Sequence, residues 1–349
     1  MSKLLLNICS LCYKWGVALR HRLYDWHIFK SESFDIPIVC VGNITVGGTG
    51  KTPTAEYIIS YLSSSYNIAL LSRGYGRRTK GYREVKCSSS YLDVGDEPLQ
   101  IKLKFPDTLV VVCEDRAEGI RRIRSRYPDI NLIVMDDGFQ HRSVTPKVNV
   151  IILDATRTIS SDRMLPAGSL RDLPSRLRAA HHFIVTKCPD DMTPLDQRIW
   201  RKQLVSIAFQ KVYFSRVKAL PVAPLFLDDD REEVTFGSQA VLMSGIGNPQ
   251  AFKRDMGNRF NVVDTLFFND HHRYTTDDVA LMEKMIDRYP RAIILMTEKD
   301  AVKLRRFRRF SPALRRALYY QPIEMEIIDG SDANFIGNLV ADIEYAERD

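Results

Sequence analysis

This 349-residue sequence lacks three things that would each fix its class. It has no aromatic-basic signature of a nucleic-acid-binding module, few cysteines, and no N-terminal run long enough to cross a bilayer. Its net charge of +7, from 50 basic against 43 acidic residues, is too mild and dispersed to imply nucleic acid. It does suit anionic lipid or phosphorylated substrates. The six cysteines, Cys9, Cys12, Cys40, Cys87, Cys113 and Cys188, are scattered, and several lie in apolar runs where a small buried thiol is the plain reading. A disulfide scaffold is therefore excluded and a reducing compartment expected. Cys9-x-x-Cys12 has no second pair to complete a zinc site and reads as helix packing.

What is present is ordinary globular material, 45% apolar and 27% charged, enough for two domains with separate cores. Lys3 followed by the uncharged run Leu4 to Tyr13 resembles the start of a signal peptide, but Lys14 closes the run and no small-residue cleavage site follows. On a helix, Leu4, Ile8, Leu11, Trp15 and Leu19 share one face, while Lys3, Asn7, Ser10, Lys14 and His21 share another. Residues 1–30 thus form an amphipathic segment suited to a membrane interface or to docking on the protein's own core. Their five Lys/Arg against one Asp favour the membrane.

Strand-like runs follow at Pro37–Val41, Ile68–Leu71, Thr108–Cys113, Leu132–Met135, Val148–Leu153 and Phe183–Val185, most separated by helical patterns. This predicts an α/β domain over 31–215 built on a parallel sheet covered on both faces. Pro221, Pro224 and the run Asp228-Asp229-Asp230 mark a hinge over 216–236. A smaller α/β domain over 237–349 is expected beyond it, with strands at Ala240–Met243, Val262–Phe268, Ala292–Met296 and Ile323–Ile328 and a helix at Asp277–Arg288.

Gly47-Gly48-Thr49-Gly50-Lys51-Thr52 stands between a predicted strand and a predicted helix, where backbone N–H groups can cradle phosphates. Thr45 replaces the first glycine of the usual P-loop pattern, and Pro53 falls in the first turn, where a missing N–H costs nothing. Lys51 is expected on the β- and γ-phosphates of ATP and Thr52 on Mg²⁺. Asp136 and Asp137 end the run Leu132–Met135 at the carboxyl edge of the sheet and are candidate partners of the same ion. Asp154, after Val150–Leu153, is a weaker competitor.

The block Gly42-Asn43-Ile44-Thr45-Val46-Gly47-Gly48-Thr49-Gly50-Lys51-Thr52-Pro53 and the block Asp136-Asp137-Gly138-Phe139-Gln140-His141 together resemble the tetraacyldisaccharide 4′-kinase family. Ser72–Arg77, Val94–Pro98, Leu165–Asp172 and Asp270–Tyr274 agree in type and order. The resemblance implies two α/β domains with the active site between them. It also implies transfer of the γ-phosphoryl group of ATP to the 4′-hydroxyl of an acylated glucosamine disaccharide 1-phosphate, at the cytoplasmic face of the inner membrane. It further implies that Asp96 and His271 form the dyad that takes the proton from the attacking hydroxyl, which suits a weakly nucleophilic sugar alcohol.

Arg73, Tyr75 and Arg77, in a glycine-punctuated loop, and Arg171, on a turn, are candidate substrate contacts. At position 172 the family more often has Glu, so the role of Asp172 is open. The basic cluster Lys303, Arg305, Arg306, Arg308, Arg309, Arg315 and Arg316 reads either as a head-group site or as a solvated helix face. Two other functions fit a P-loop: a nucleotide-gated membrane-binding switch, and a different small-molecule kinase or ligase. Val46 argues against the switch, whose relatives usually carry a second lysine there, and a switch leaves His271 and the second domain without a role.

Overall fold

A computed structural model of the chain describes residues 3–157, 159, 162–227, 234–307, 309–328 and 332–345. It opens with α1 (Lys3–Asp25), β1 (Ile38–Gly42), α2 (Lys51–Leu62), β2 (Ile68–Ser72), β3 (Arg83–Val85), α3 (Tyr91–Val94), α4 (Asp96–Lys104), β4 (Leu109–Val112) and α5 (Arg116–Arg126). It continues through β5 (Leu132–Asp136), β6 (Val148–Asp154), β7 (His182–Thr186), α6 (Pro194–Leu204), β8 (Lys211–Ala219), β9 (Ala223–Pro224), β10 (Gln239–Ser244), α7 (Pro249–Gly257) and β11 (Asn261–Phe267). The last elements are α8 (Thr276–Arg288), β12 (Ile293–Thr297), α9 (Glu298–Leu304), α10 (Pro312–Ala317), β13 (Leu318–Gln321), β14 (Ile323–Ile327) and α11 (Asp332–Glu344).

The larger sheet runs β14-β8-β7-β6-β1-β5-β2-β4-β3, parallel except at its two edges, where β14 and β3 are antiparallel. Strands β1, β2, β5 and β7 are buried along their whole length. They read as continuous apolar runs because helices cover both faces. Alternate residues feed two cores, with Val39, Val41 and Val134 on one side and Cys40, Ile133 and Met135 on the other. The smaller sheet, β11-β10-β12-β13-β9, is parallel except for β9.

The C-terminal boundary differs from the sequence-based expectation. Strand β8 stays in the larger sheet to Ala219, and β14 pairs antiparallel with it from Ile323↔Ala219 to Ile327↔Ser215. Phe335, Leu339 and Ile343 of α11 then pack into the core with Tyr57 and Ile58 of α2. Strand β14 and helix α11 therefore belong with the larger sheet, and the chain leaves and returns at adjacent crossings. There Leu220 N donates to Pro322 O at 3.0 Å and Gln321 Nε2 to Leu220 O at 2.6 Å. An isolated apolar strand carries no sign of which sheet it joins, which is why Ile323–Ile328 read as part of the smaller unit. The acidic run Asp228–Asp230 lies outside the described residues.

Helix α1 faces opposite to an ordinary surface helix. Leu4, Ile8, Leu11, Trp15 and Leu19 are all exposed, while the polar side docks. Ser10 Oγ donates to Met164 O at 2.8 Å, Arg163 Nη1 to Asn7 Oδ1 at 3.0 Å, and His21 is buried. No helix among the described residues is long and apolar enough to cross a membrane.

Candidate active site

The phosphate loop forms the turn between β1 and α2. Gly47 and Gly50 hold φ of 96° and 94°, the left-handed region open to glycine, and Gly50 caps α2. A Cβ on Gly50 would sit 3.3 Å from Thr186, whose hydroxyl ties the loop to β7 through a 2.7 Å bond to Thr49 O. Asn43 Nδ2 donates to Thr49 Oγ1 at 2.6 Å, and Gly48 has open space around it. The loop is thus fixed at both shoulders, with Lys51 and Thr52 opening the helix whose N-terminal end favours anions.

The two aspartates at the end of β5 differ sharply. Asp136 is buried, and its Oδ1 has no hydrogen-bond partner among the described residues. Burial, then the charges of Glu97 and Asp137, push its carboxyl up to about 7. An orphaned, desolvated carboxylate oxygen beside a phosphate loop fits a cation ligand. Asp137, at φ 49°, turns to Arg171, whose Nη1 donates to Oδ2 at 3.1 Å and whose Nη2 meets Oδ1. Lys51 Nζ stands 3.8 Å from that same Oδ1. Burial raises the Asp137 carboxyl, but Lys51 and Arg171 outweigh it and bring it down to about 2. Asp154 is engaged by Lys187 at 2.6 Å and by Thr156 at 2.6 Å.

Asp96 opens α4, and its Oδ1 accepts from Glu97 N at 3.0 Å. His271, at φ 56°, comes from the loop between β11 and α8, and its Nδ1 lies 3.1 Å from Asp96 Oδ2. The two residues predicted to work together are therefore in contact between elements of the two sheets. Burial raises the Asp96 carboxyl, yet the hydrogen bond to His271 and the charges of Lys299, His271 and Lys303 bring it down to about 2. His272, by contrast, stacks on Phe268 and lies 3.0 Å from Asp278, a structural setting.

A cavity of about 260 Å³ opens beside these groups, and Arg73, Tyr75, Asp137 and Arg171 line it. Tyr75 also lies against His271, ring centres 5.1 Å apart. Arg77, expected as a substrate contact, is not among the lining residues. Its guanidinium is turned to Glu114 at 2.7 Å and Gly81 O at 2.8 Å, where it knits its own loop. Asp172, which also lines the cavity, lies 2.6 Å from His21 Nε2 and so fastens α1 to the Leu165–Asp172 turn.

Sequence reasoning missed several groups in and around the site. Gln140 and His141 stand within the block quoted above, and His141 is held down to about 4 by burial and by Arg116 and Arg73. Arg116 is fully buried at the start of α5, with Nε and Nη2 unpartnered and its guanidinium lowered to about 10 by burial. Its place just after a parallel strand was the available signal. Lys303, read with its neighbours as either a head-group site or a solvated helix face, is instead 2% exposed. Arg308 of that cluster lies outside the described residues.

The model of the family described as Tetraacyldisaccharide-1-P 4'-kinase matches residues 2–342. The chain belongs to that family. The Tetraacyldisaccharide 4'-kinase of Phocaeicola vulgatus is 38% identical over 337 residues, 95% of this chain and 92% of that protein. The one from Porphyromonas gingivalis is 39% identical over 346 residues, 96% of each. That from Cytophaga hutchinsonii is 34% identical over 339 residues, 93% of this chain and 92% of that protein. The crystal structure of LpxK from Aquifex aeolicus in complex with ATP aligns with TM-score 0.74 at 24% identity, covering 99% of this chain and 100% of that one. The tetraacyldisaccharide 4'-kinase fold is thus shared from α1 to α11.

Proposed function

We infer that this chain is the ATP-dependent kinase that phosphorylates the 4′-hydroxyl of a tetraacyldisaccharide 1-phosphate, a late lipid A precursor. The observation that carries the reading is the contact of Asp96 with His271 beside a P-loop and an arginine-lined cavity, in a chain of this family. The Gly47–Thr52 backbone cradles the phosphates, and Lys51 neutralises charge as it spreads over the transferring group. Arg171 and Arg73 supply guanidinium forks for the anionic sugar lipid. His271, oriented through Nδ1 by Asp96, presents Nε2 to take the proton of the attacking hydroxyl.

Thr52 and Asp136 are the residues that would hold magnesium. A magnesium ion in a phosphate-loop enzyme takes few protein ligands and is held largely by nucleotide phosphates. Such an ion would offset phosphate charge. The exposed apolar stripe of α1 rests the protein on the cytoplasmic face of the inner membrane, where its acylated substrate resides.

The deciding assay incubates the purified protein with γ-labelled ATP, Mg²⁺ and tetraacyldisaccharide 1-phosphate. Label in the lipid, absent with the 4′-deoxy analogue, is the expected result. Release of ADP and phosphate alone, unaffected by the lipid, would instead identify a nucleotide switch.

A further inference from the structure

Behind the dyad, helix α9 of the smaller sheet's layer presents Lys299 and Lys303 one turn apart, toward the first two residues of α4. Lys299 Nζ meets Glu97 Oε1 at 2.8 Å, and Lys303 Nζ stands 3.8 Å from Asp96 Oδ2, the oxygen that also faces His271. Lysine is almost never buried this completely without paired charge. Here the second partner is Asp300, with Nζ to Oδ1 at 3.3 Å and Asp300 itself fully buried. Asp300 Oδ2 in turn accepts from Gly245 N at 3.0 Å, and Gly245 O accepts from His271 N at 3.2 Å. The contacts close a ring: Gly245, Asp300, Lys303, Asp96, His271 and back to Gly245.

Within that ring Lys303 is the cation between two buried carboxylates. Remove its charge and Asp96 and Asp300 are left as neighbouring desolvated anions, a state relieved by protonating one of them. Among the described residues, the other charged or titratable groups around Asp96, His271 and Lys303 include Lys299, Glu97, Asp270, Tyr91, Tyr75 and Tyr274. Lys299 is held by Glu97. Asp270, 3.9 Å from His271 Nε2, is itself negative. Lys299 also lowers the Asp96 carboxyl, but its ammonium is engaged by Glu97, whereas Lys303 stands between Asp96 and Asp300 and offsets both.

We propose that Lys303 is a positioning residue for phosphoryl transfer: it keeps Asp96 an anion turned to His271, so that seating the smaller sheet's layer on α4 arms the base. The inference rests on the dyad reading given above. Lys303 touches neither nucleotide nor lipid in this role. It acts through Asp96.

The test is Lys303→Met, which keeps the length and apolar stem of the side chain, with Lys303→Arg as the charge-restoring variant. In Lys303→Met kcat falls about 10–100-fold while the ATP dissociation constant stays within about twofold. The acidic limb of its pH–kcat profile moves up by about 1–3 pH units, and Lys303→Arg returns the limb toward wild type. An independent readout needs no turnover. With ¹³C-labelled aspartate, the Asp96 carboxyl resonance, identified by its loss in Asp96→Asn, titrates at a higher midpoint in Lys303→Met than in the wild type. A lower melting temperature with an unmoved acidic limb and an unmoved Asp96 resonance would overturn the proposal and make Lys303 a fold residue. The resonance reports on Lys303 even if the wild type fails to phosphorylate the lipid, so failure of the kinase reading is distinguishable.

Discussion

His271 reaches Asp96 across 175 residues of sequence, Nδ1 to Oδ2 at 3.1 Å, in a backbone conformation with φ 56° that a histidine seldom adopts. A left-handed non-glycine residue held by its own N–H bonds to Gly245 O and Asp270 Oδ1 is a built position rather than a loop accident.

The first prediction concerns that pair. Asp96→Asn and His271→Ala should each slow phosphoryl transfer by about 10²–10⁴-fold with little change in ATP affinity. Because the two residues serve one step, the double variant should be little slower than the worse single one. Single-turnover rates that multiply across the cycle would show that the residues do separate jobs.

Lys51→Ala should lower turnover by at least about 10²–10³-fold while the melting temperature barely moves. Lys51 is partly exposed, and its ion pair with Asp137, at 3.8 Å, contributes little to stability. A purified variant with wild-type turnover would remove the P-loop from the chemistry.

The two strand-end aspartates should part company. Asp136→Asn removes the unpartnered buried oxygen and should weaken the apparent Mg²⁺ affinity by on the order of 10–100-fold. Asp137→Asn instead releases Arg171 and should raise KM for the lipid with a smaller effect on Mg²⁺ dependence. Equal Mg²⁺ titration curves for the two variants would refute this division.

Much of this site was legible before the fold was known, and for identifiable reasons. A phosphate loop needs glycines at positive φ next to a lysine, and a strand that ends in two acids delivers them to the carboxyl edge of a parallel sheet, so local sequence carries both. The Asp96–His271 contact is different: no periodicity links residues that far apart, and only the family motifs suggested it. Lys303 was misread because a run of basic residues looks the same whether one of them points to solvent or into a buried ring of carboxylates. Arg77 stands away from the cavity for the converse reason, since an arginine in a loop after a strand can as readily tie the loop to Glu114 as reach a ligand. Strand β9 and the true partner of β14 were hidden because they are edge pairings decided by tertiary contact.

Leu11→Glu combined with Trp15→Glu should reduce binding to anionic vesicles by at least about tenfold, since each side chain offers apolar area now facing solvent. Deleting residues 1–25 would be a poorer test, because it also removes His21 from Asp172 and Ser10 from Met164. Unchanged vesicle flotation of the double variant would leave the stripe without a lipid role.

The last prediction concerns stability against pH. His182 on β7 is fully buried between Tyr213 and Phe335, and its Nε2 lies 2.8 Å from Asp342 of α11 without a well-aligned hydrogen bond. Burial opposes the charged imidazolium more strongly than Asp342 favours it, and the ring is lowered to about 4. A histidine whose folded value lies below its unfolded one contributes stability that is fully present above about pH 6.5 and is lost as pH falls toward about 4, because the unfolded chain binds the proton first. The full difference is at most about 3 kcal/mol, and about 2 kcal/mol of it is gone by about pH 5. His182→Phe fills the same aromatic pocket without a titrating group, so its melting temperature should fall a few degrees less than that of the wild type between about pH 7.5 and 5. His141 and His181 are lowered in the same direction and remain in both proteins, so the variant keeps part of the slope. Identical pH dependence in the two proteins would show that His182 is already protonated and paired with Asp342 in the fold.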